Sequence, residues 1–103
     1  MTPRIEVYFW AGCPSHPEAL ELLEAVLAER RIDAAIDLHE VFTQEQAEQL
    51  SFPGSPTIRI DGRDVDPDGA RSQPARLACR VYRLPDGRPS PVPSREQLEE
   101  ALT

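Results

Sequence analysis

The chain has 103 residues and a formal charge of −7, room for one domain and one modest core. That charge argues against a nucleic-acid binder, because neutralising phosphates needs a basic surface. All eleven cations are arginines and none is lysine, so Schiff-base and lysine-nucleophile chemistry are excluded.

The charge is unevenly spread. Residues 1–58 hold ten acids against three arginines, whereas Gly69–Arg95 holds six arginines against the single acid Asp86. A basic, loop-rich segment on an acidic chain suits a small anionic ligand or an acidic partner, or is simply a solvated arginine surface. No apolar leader follows a basic start, and no apolar run approaches the eighteen or so residues of a membrane span. The expectation is a soluble, cytoplasmic, single domain over residues 1–103, with no membrane and no nucleic-acid partner. Two cysteines lie 66 positions apart. They could form one structural disulfide, but in a reducing cytosol they are expected to be free, catalytic or metal-binding.

In chain order, Arg4–Trp10 alternates Ile5, Val7 and Phe9 with Glu6, Tyr8 and Trp10, which predicts a strand. Gly12-Cys13-Pro14-Ser15-His16 then forms a turn into an amphipathic helix with Leu20, Leu23 and Leu27 on one face and Glu18, Glu21 and Glu24 on another. Pro17 belongs in a first helical turn, where its missing N–H is harmless. Ser15 is therefore expected as N-cap, with Glu18 completing a capping box and Cys13 just outside the helix. Backbone N–H groups at such a turn favour the thiolate, the form that acts as nucleophile and metal ligand.

Ala35–Val41 predicts a second strand, parallel to the first across the helix. Thr43 and Gln46 cap a second helix that ends at Pro53-Gly54. Thr57–Ile60 predicts a third strand, and Asp61-Gly62 a type I′ turn into an antiparallel Arg63–Val65. Asp66–Ala78 reads as a long loop, Cys79–Arg83 as a short strand, and the proline-rich stretch after it as another loop. Ser94 and Gln97 cap a last helix whose Leu98, Ala101 and Leu102 form a short apolar edge.

This order resembles the thioredoxin superfamily. Cys13-Pro14-Ser15-His16 stands where those proteins carry C-x-x-C or C-x-x-S, and Ser55-Pro56-Thr57 looks like their cis-proline segment. The resemblance implies an α/β, thioredoxin-like βαβαββα three-layer sandwich with a mixed central sheet. A Pro/Arg-rich loop is inserted before the C-terminal helix. It further implies a cis Ser55–Pro56 bond facing Cys13, and extended substrate lying along Ser55, Pro56 and Thr57. His16 replaces the resolving cysteine, which rules out the ordinary C-x-x-C cycle, since that cycle needs a second thiol within reach. A protonated His16 would favour the Cys13 thiolate and could donate a proton, its reference pKa being about 6.5. The alternative is an exposed first-turn residue with no role.

Cys79 is the remaining thiol, either a resolving partner or an inward strand residue. Arg76, Arg80 and Arg83 flank it, and Arg80 is a candidate substrate contact. The chain is also similar to the catalytic core of organomercurial lyases. Cys13 and Cys79 match that family's two cysteines by position, and His16 stands where its aspartate would be. Three functions follow as expectations. The first is thiol–disulfide or thiol-transfer chemistry through Cys13, without a cofactor, on a small thiol or disulfide or a protein redox partner. The second is mercury, organomercurial or other soft-metal handling by Cys13 and Cys79. The third is a binding module that keeps the fold without the activity.

Overall fold

The computed structural model of the chain describes residues 2–103. Its elements in order are β1 (Ile5–Phe9), α1 (His16–Glu29), β2 (Ile36–Glu40), α2 (Gln44–Leu50), β3 (Thr57–Ile60) and β4 (Arg63–Asp64). They continue with α3 (Pro67–Arg71), β5 (Tyr82–Arg83), β6 (Pro89–Ser90) and α4 (Arg95–Ala101). The main sheet is mixed and runs β2-β1-β3-β4, with β1 parallel to β2 and antiparallel to β3.

Alternation along β1 divides the core. Ile5 and Val7 are fully buried with Ala19, Leu23, Val26 and Leu27 of α1, Ile58 and Ile60 of β3, and Leu98 of α4. Full burial of each large aliphatic side chain contributes about 1.5–3 kcal/mol, so this cluster dominates the stability. Tyr8 and Trp10, with the opposite parity, pack against a smaller cluster of Val41, Ala47 and Phe52 around α2. Helices therefore cover both faces of the sheet, α2 only partly. β2 is an edge strand, and its Leu38 remains 49% exposed although the alternation there predicts an inward side chain.

The turn between β3 and β4 has positive φ at Asp61 (53°) and Gly62 (80°), as a type I′ turn requires. The capping boxes expected at Thr43/Gln46 and Ser94/Gln97 are both made. Three local expectations fail. Asp66–Ala78 is not a continuous loop: Asp66 accepts a hydrogen bond from the Gly69 N–H, Pro67 takes the first helical position, and α3 forms. Gly69, a poor helix former, concealed that cap-and-proline start. The strand expected over Cys79–Arg83 is reduced to Tyr82–Arg83, paired with Pro89–Ser90 in a separate two-stranded sheet. Residues 78–80 instead lie beside Ser55. The Ser15–Glu18 capping box is absent, because Ser15 itself has near-helical backbone angles (φ −86°, ψ −15°) and makes no side-chain cap bond.

Candidate functional site

Three pieces of backbone converge on Cys13. β1 delivers the chain to a tight turn in which the Cys13 N–H donates to the Trp10 carbonyl at 3.0 Å. The indole of Trp10 folds back over Gly12, occupying the space a Cβ would need there. α1 then begins at His16, with Pro17 at its second position as expected, so Cys13 precedes the helix. The second piece is Pro53–Thr57, whose Ser55–Pro56 bond is cis. The third is Ala78–Arg80, which pairs with Ser55 as an isolated parallel bridge centred on Cys79.

Cys13 and Cys79 are joined in a disulfide, with their Cα atoms 5.4 Å apart. The expectation of free thiols is thereby corrected. Sixty-six positions of sequence separate the two cysteines, and the pairing with Ser55 brings the second alongside the first. The two ends of the bond differ in surroundings. Cys13 has none of its surface exposed, whereas Cys79 is an exposed residue. The Cys13 sulfur lies 3.6 Å from the Ser15 hydroxyl and 3.5 Å from the Ser55 carbonyl oxygen. When the bond is reduced, that carbonyl is an acceptor in reach of the thiol.

Ser55 is the hub of this arrangement, and it is fully buried. Its N–H donates to the Ala78 carbonyl and its own carbonyl accepts from the Arg80 N–H, both at 2.8 Å. Its hydroxyl oxygen accepts from the Trp10 N–H at 3.0 Å. One serine thus ties the motif turn, the cis-proline segment and the Cys79 arm together. Gly54 makes the close approach possible: its φ is +128°, and an added Cβ would stand 2.9 Å from the Arg80 Cα. The expectation that substrate backbone pairs along Ser55, Pro56 and Thr57 meets a chain already paired with its own arm. All three residues are buried, and the Thr57 hydroxyl donates to the Gly54 carbonyl at 2.7 Å.

Arg80 is turned away from solvent. Its guanidinium donates to both carboxylate oxygens of Asp64, at 2.7 and 2.6 Å, and to the Thr57 hydroxyl and the Asp66 carbonyl at 3.2 Å. Burial alone would lower its pKa, but the hydrogen bonds and charge of Asp64 hold it above the ordinary value. The guanidinium also stacks 4.2 Å from the centroid of the Tyr82 ring. Tyr82 is fully buried and donates its O–H to the Pro56 carbonyl at 2.5 Å. Burial pushes its phenol well above the usual range. Arg80, expected as a candidate substrate contact, is buried here and anchors the arm.

His16 is stacked on Phe9, ring centroids 4.3 Å apart, and among the described residues it makes no hydrogen bond to Cys13. Its Nδ1 is buried without a protein partner. The residues that sequence reasoning missed are Asp64, Tyr82 and Gly54. Arg80 and Asp64 are 16 positions apart, and nothing local marks them as a pair. Gly54 reads locally as a helix terminator. Among the described residues, no group of three or more His, Cys, Asp or Glu side chains is arranged to hold a metal, and no helix is long and apolar enough to cross a membrane. No family model matches the chain, and neither the curated proteins nor the solved structures contain a significant match.

The arrangement is a disulfide with one buried and one exposed end, clamped by backbone pairing on the arm and by a helix start on the motif side. A disulfide so placed is open to exchange with another thiol.

Proposed function

We propose that this chain is a thioredoxin-like protein that carries out thiol–disulfide exchange through the Cys13–Cys79 pair. The single observation behind this reading is that pair itself: a cysteine at a strand-to-helix turn bonded to an exposed cysteine on an anchored arm. The thioredoxin-like part is supported by the sheet order β2-β1-β3-β4 and by a cis Ser55–Pro56 segment whose carbonyl lies 3.5 Å from the Cys13 sulfur. Cys79 supplies the second thiol that position 16 lacks. In the cytoplasm expected for the chain, a disulfide of this kind cycles, because persistent structural disulfides are rare there.

A second reading rests on the same adjacency. Once reduced, two thiolates with Cα atoms 5.4 Å apart offer a two-coordinate site for a soft ion such as mercuric ion, taken as substrate.

Intact-mass spectrometry across a series of glutathione redox buffers tests the first reading. The wild type should pass between a disulfide and a dithiol form, a gain of two hydrogens. Cys13→Ser and Cys79→Ser should each lose that transition, and Cys13→Ser should carry a single glutathione on Cys79. A wild type that stays oxidised throughout the series would behave as a purely structural disulfide and sink the proposal. Adding mercuric ion to the reduced proteins examines the second. One ion retained by the wild type and released by both single variants supports soft-metal handling, and equal retention by all three refutes it.

A further inference from the structure

We infer that the disulfide is polar: an incoming thiol attacks the sulfur of Cys79, and Cys13 departs as the thiolate. This rests on the exchange reading above and deepens it, reversing the roles expected from the position of Cys13 in its motif.

Attack on a disulfide is in line with the S–S bond, from the side opposite the leaving sulfur, so access and leaving group both decide which sulfur reacts. Access favours Cys79. Cys13 has no exposed surface, and the Ser15 hydroxyl and Ser55 carbonyl already stand 3.6 and 3.5 Å from its sulfur. Cys79 is exposed, and the sulfur it is bonded to belongs to a residue with no exposed surface. The leaving group favours the same outcome. Cys13 is released at the start of α1, a helix of fourteen residues, whose first N–H groups and positive dipole end stabilise an anion. Cys79 stands in irregular backbone and begins no helix of its own.

What keeps the released pair together is the arm's second attachment. Ser55 holds the backbone on both sides of Cys79, and Arg80 is held by Asp64. Neither contact depends on the S–S bond. Cys79 therefore carries the mixed disulfide while Cys13 waits beside it.

The steps balance as follows for a small thiol of the glutathione class. The thiolate attacks the Cys79 sulfur, the Cys79–thiol bond forms, the Cys13–Cys79 bond breaks, and its electron pair remains on Cys13 as thiolate. A second thiolate then attacks the sulfur of the first. This yields the small disulfide and frees Cys79 as thiolate. Two electrons have reduced the protein, and two thiols have been oxidised to one disulfide. In reverse, the Cys79 thiolate attacks a small disulfide and Cys13 resolves the adduct. Cys79 is the interchange cysteine and Cys13 the resolving one.

The test mixes oxidised wild-type protein with glutathione and quenches at early times with N-ethylmaleimide, which caps the freed thiol and prevents reclosure. Trypsin then separates the two cysteines, Cys79 falling on the short peptide Leu77–Arg80. The expected result is glutathione on that peptide and maleimide on Cys13, in at least tenfold excess over the opposite arrangement. Glutathione chiefly on Cys13, or equal amounts on both, overturns the polarity while leaving the exchange reading standing. No adduct and no reduction at any time overturns the exchange reading and this inference together.

Discussion

Arg80 and Asp64 form a two-pronged ion pair, with both carboxylate oxygens within 2.7 Å of the guanidinium and the arginine side chain wholly out of solvent. It is the anchor that holds the Cys79 arm when the disulfide does not. A buried arginine deprived of its carboxylate leaves an unpaired charge, which costs about 3–5 kcal/mol. Asp64→Ala should lose about that much stability in urea unfolding of the oxidised protein. The double variant Asp64→Leu/Arg80→Met should recover most of it, since an apolar pair leaves no stranded charge. A double variant no more stable than Asp64→Ala would contradict the account.

The disulfide closes a long loop. On the chain-entropy model, a cross-link spanning 66 positions stabilises by about 4 kcal/mol through the unfolded state. Reduction should lower the urea midpoint accordingly while the fold persists, because Ser55, Asp64 and Pro56 still hold the arm. Far-ultraviolet circular dichroism of the reduced protein checks the second half: loss of the helical signal on reduction alone would show that these contacts do not suffice.

Gly54 and Gly62 both have positive φ, at +128° and +80°, but only Gly54 has backbone against it. Alanine at Gly62 meets nothing within 4 Å and should cost only the conformational penalty, of order 1 kcal/mol. Alanine at Gly54 must also push the Arg80 backbone away, and should cost roughly 3 kcal/mol. It should also speed reduction of the disulfide by glutathione. Equal effects of the two substitutions in thermal unfolding would remove the close-approach argument.

Glu6 organises a polar patch on the second face of the sheet. Its Oε2 accepts from Arg4 and from the Tyr8 hydroxyl, both at 3.1 Å, and lies 3.3 Å from His39 Nε2. Burial alone would raise the pKa of its carboxyl, but these donors hold it below the ordinary carboxylate value. A depressed carboxylate pKa means stability that is present above the ordinary carboxylate range and lost as pH falls through the folded pKa. Glu6→Gln should therefore be less stable than wild type at pH 7, by about 1–2 kcal/mol for a hydrogen-bonded charge. The gap should close as the pH falls below about 4. Urea unfolding of both proteins from pH 7 to pH 3 measures this, and a gap that widens toward acid would reverse the sign.

Local pattern determined much of the architecture. The alternation of Ile5, Val7 and Phe9, the leucine spacing of α1, and the Asp61-Gly62 turn each follow from steric or periodic preferences that act within a few residues. So do the caps at Thr43 and Ser94. The same locality placed Cys13 at a turn ahead of a helix, whereas Ser55-Pro56 was marked by the family resemblance and not by local pattern. Tertiary structure decided what became of the second cysteine. The pairing of Ser55 with Ala78 and Arg80, the space left by Gly54 and the pairing of Arg80 with Asp64 join residues 16 to 26 positions apart. None of these contacts imposes a periodicity on the sequence. An arginine destined for burial has the same local signature as one in solvent until its carboxylate arrives. The turn alone marked Cys13 as a candidate, but that its residue is the buried end of a disulfide and Cys79 the exposed one depended on which backbone came to lie beside Ser55.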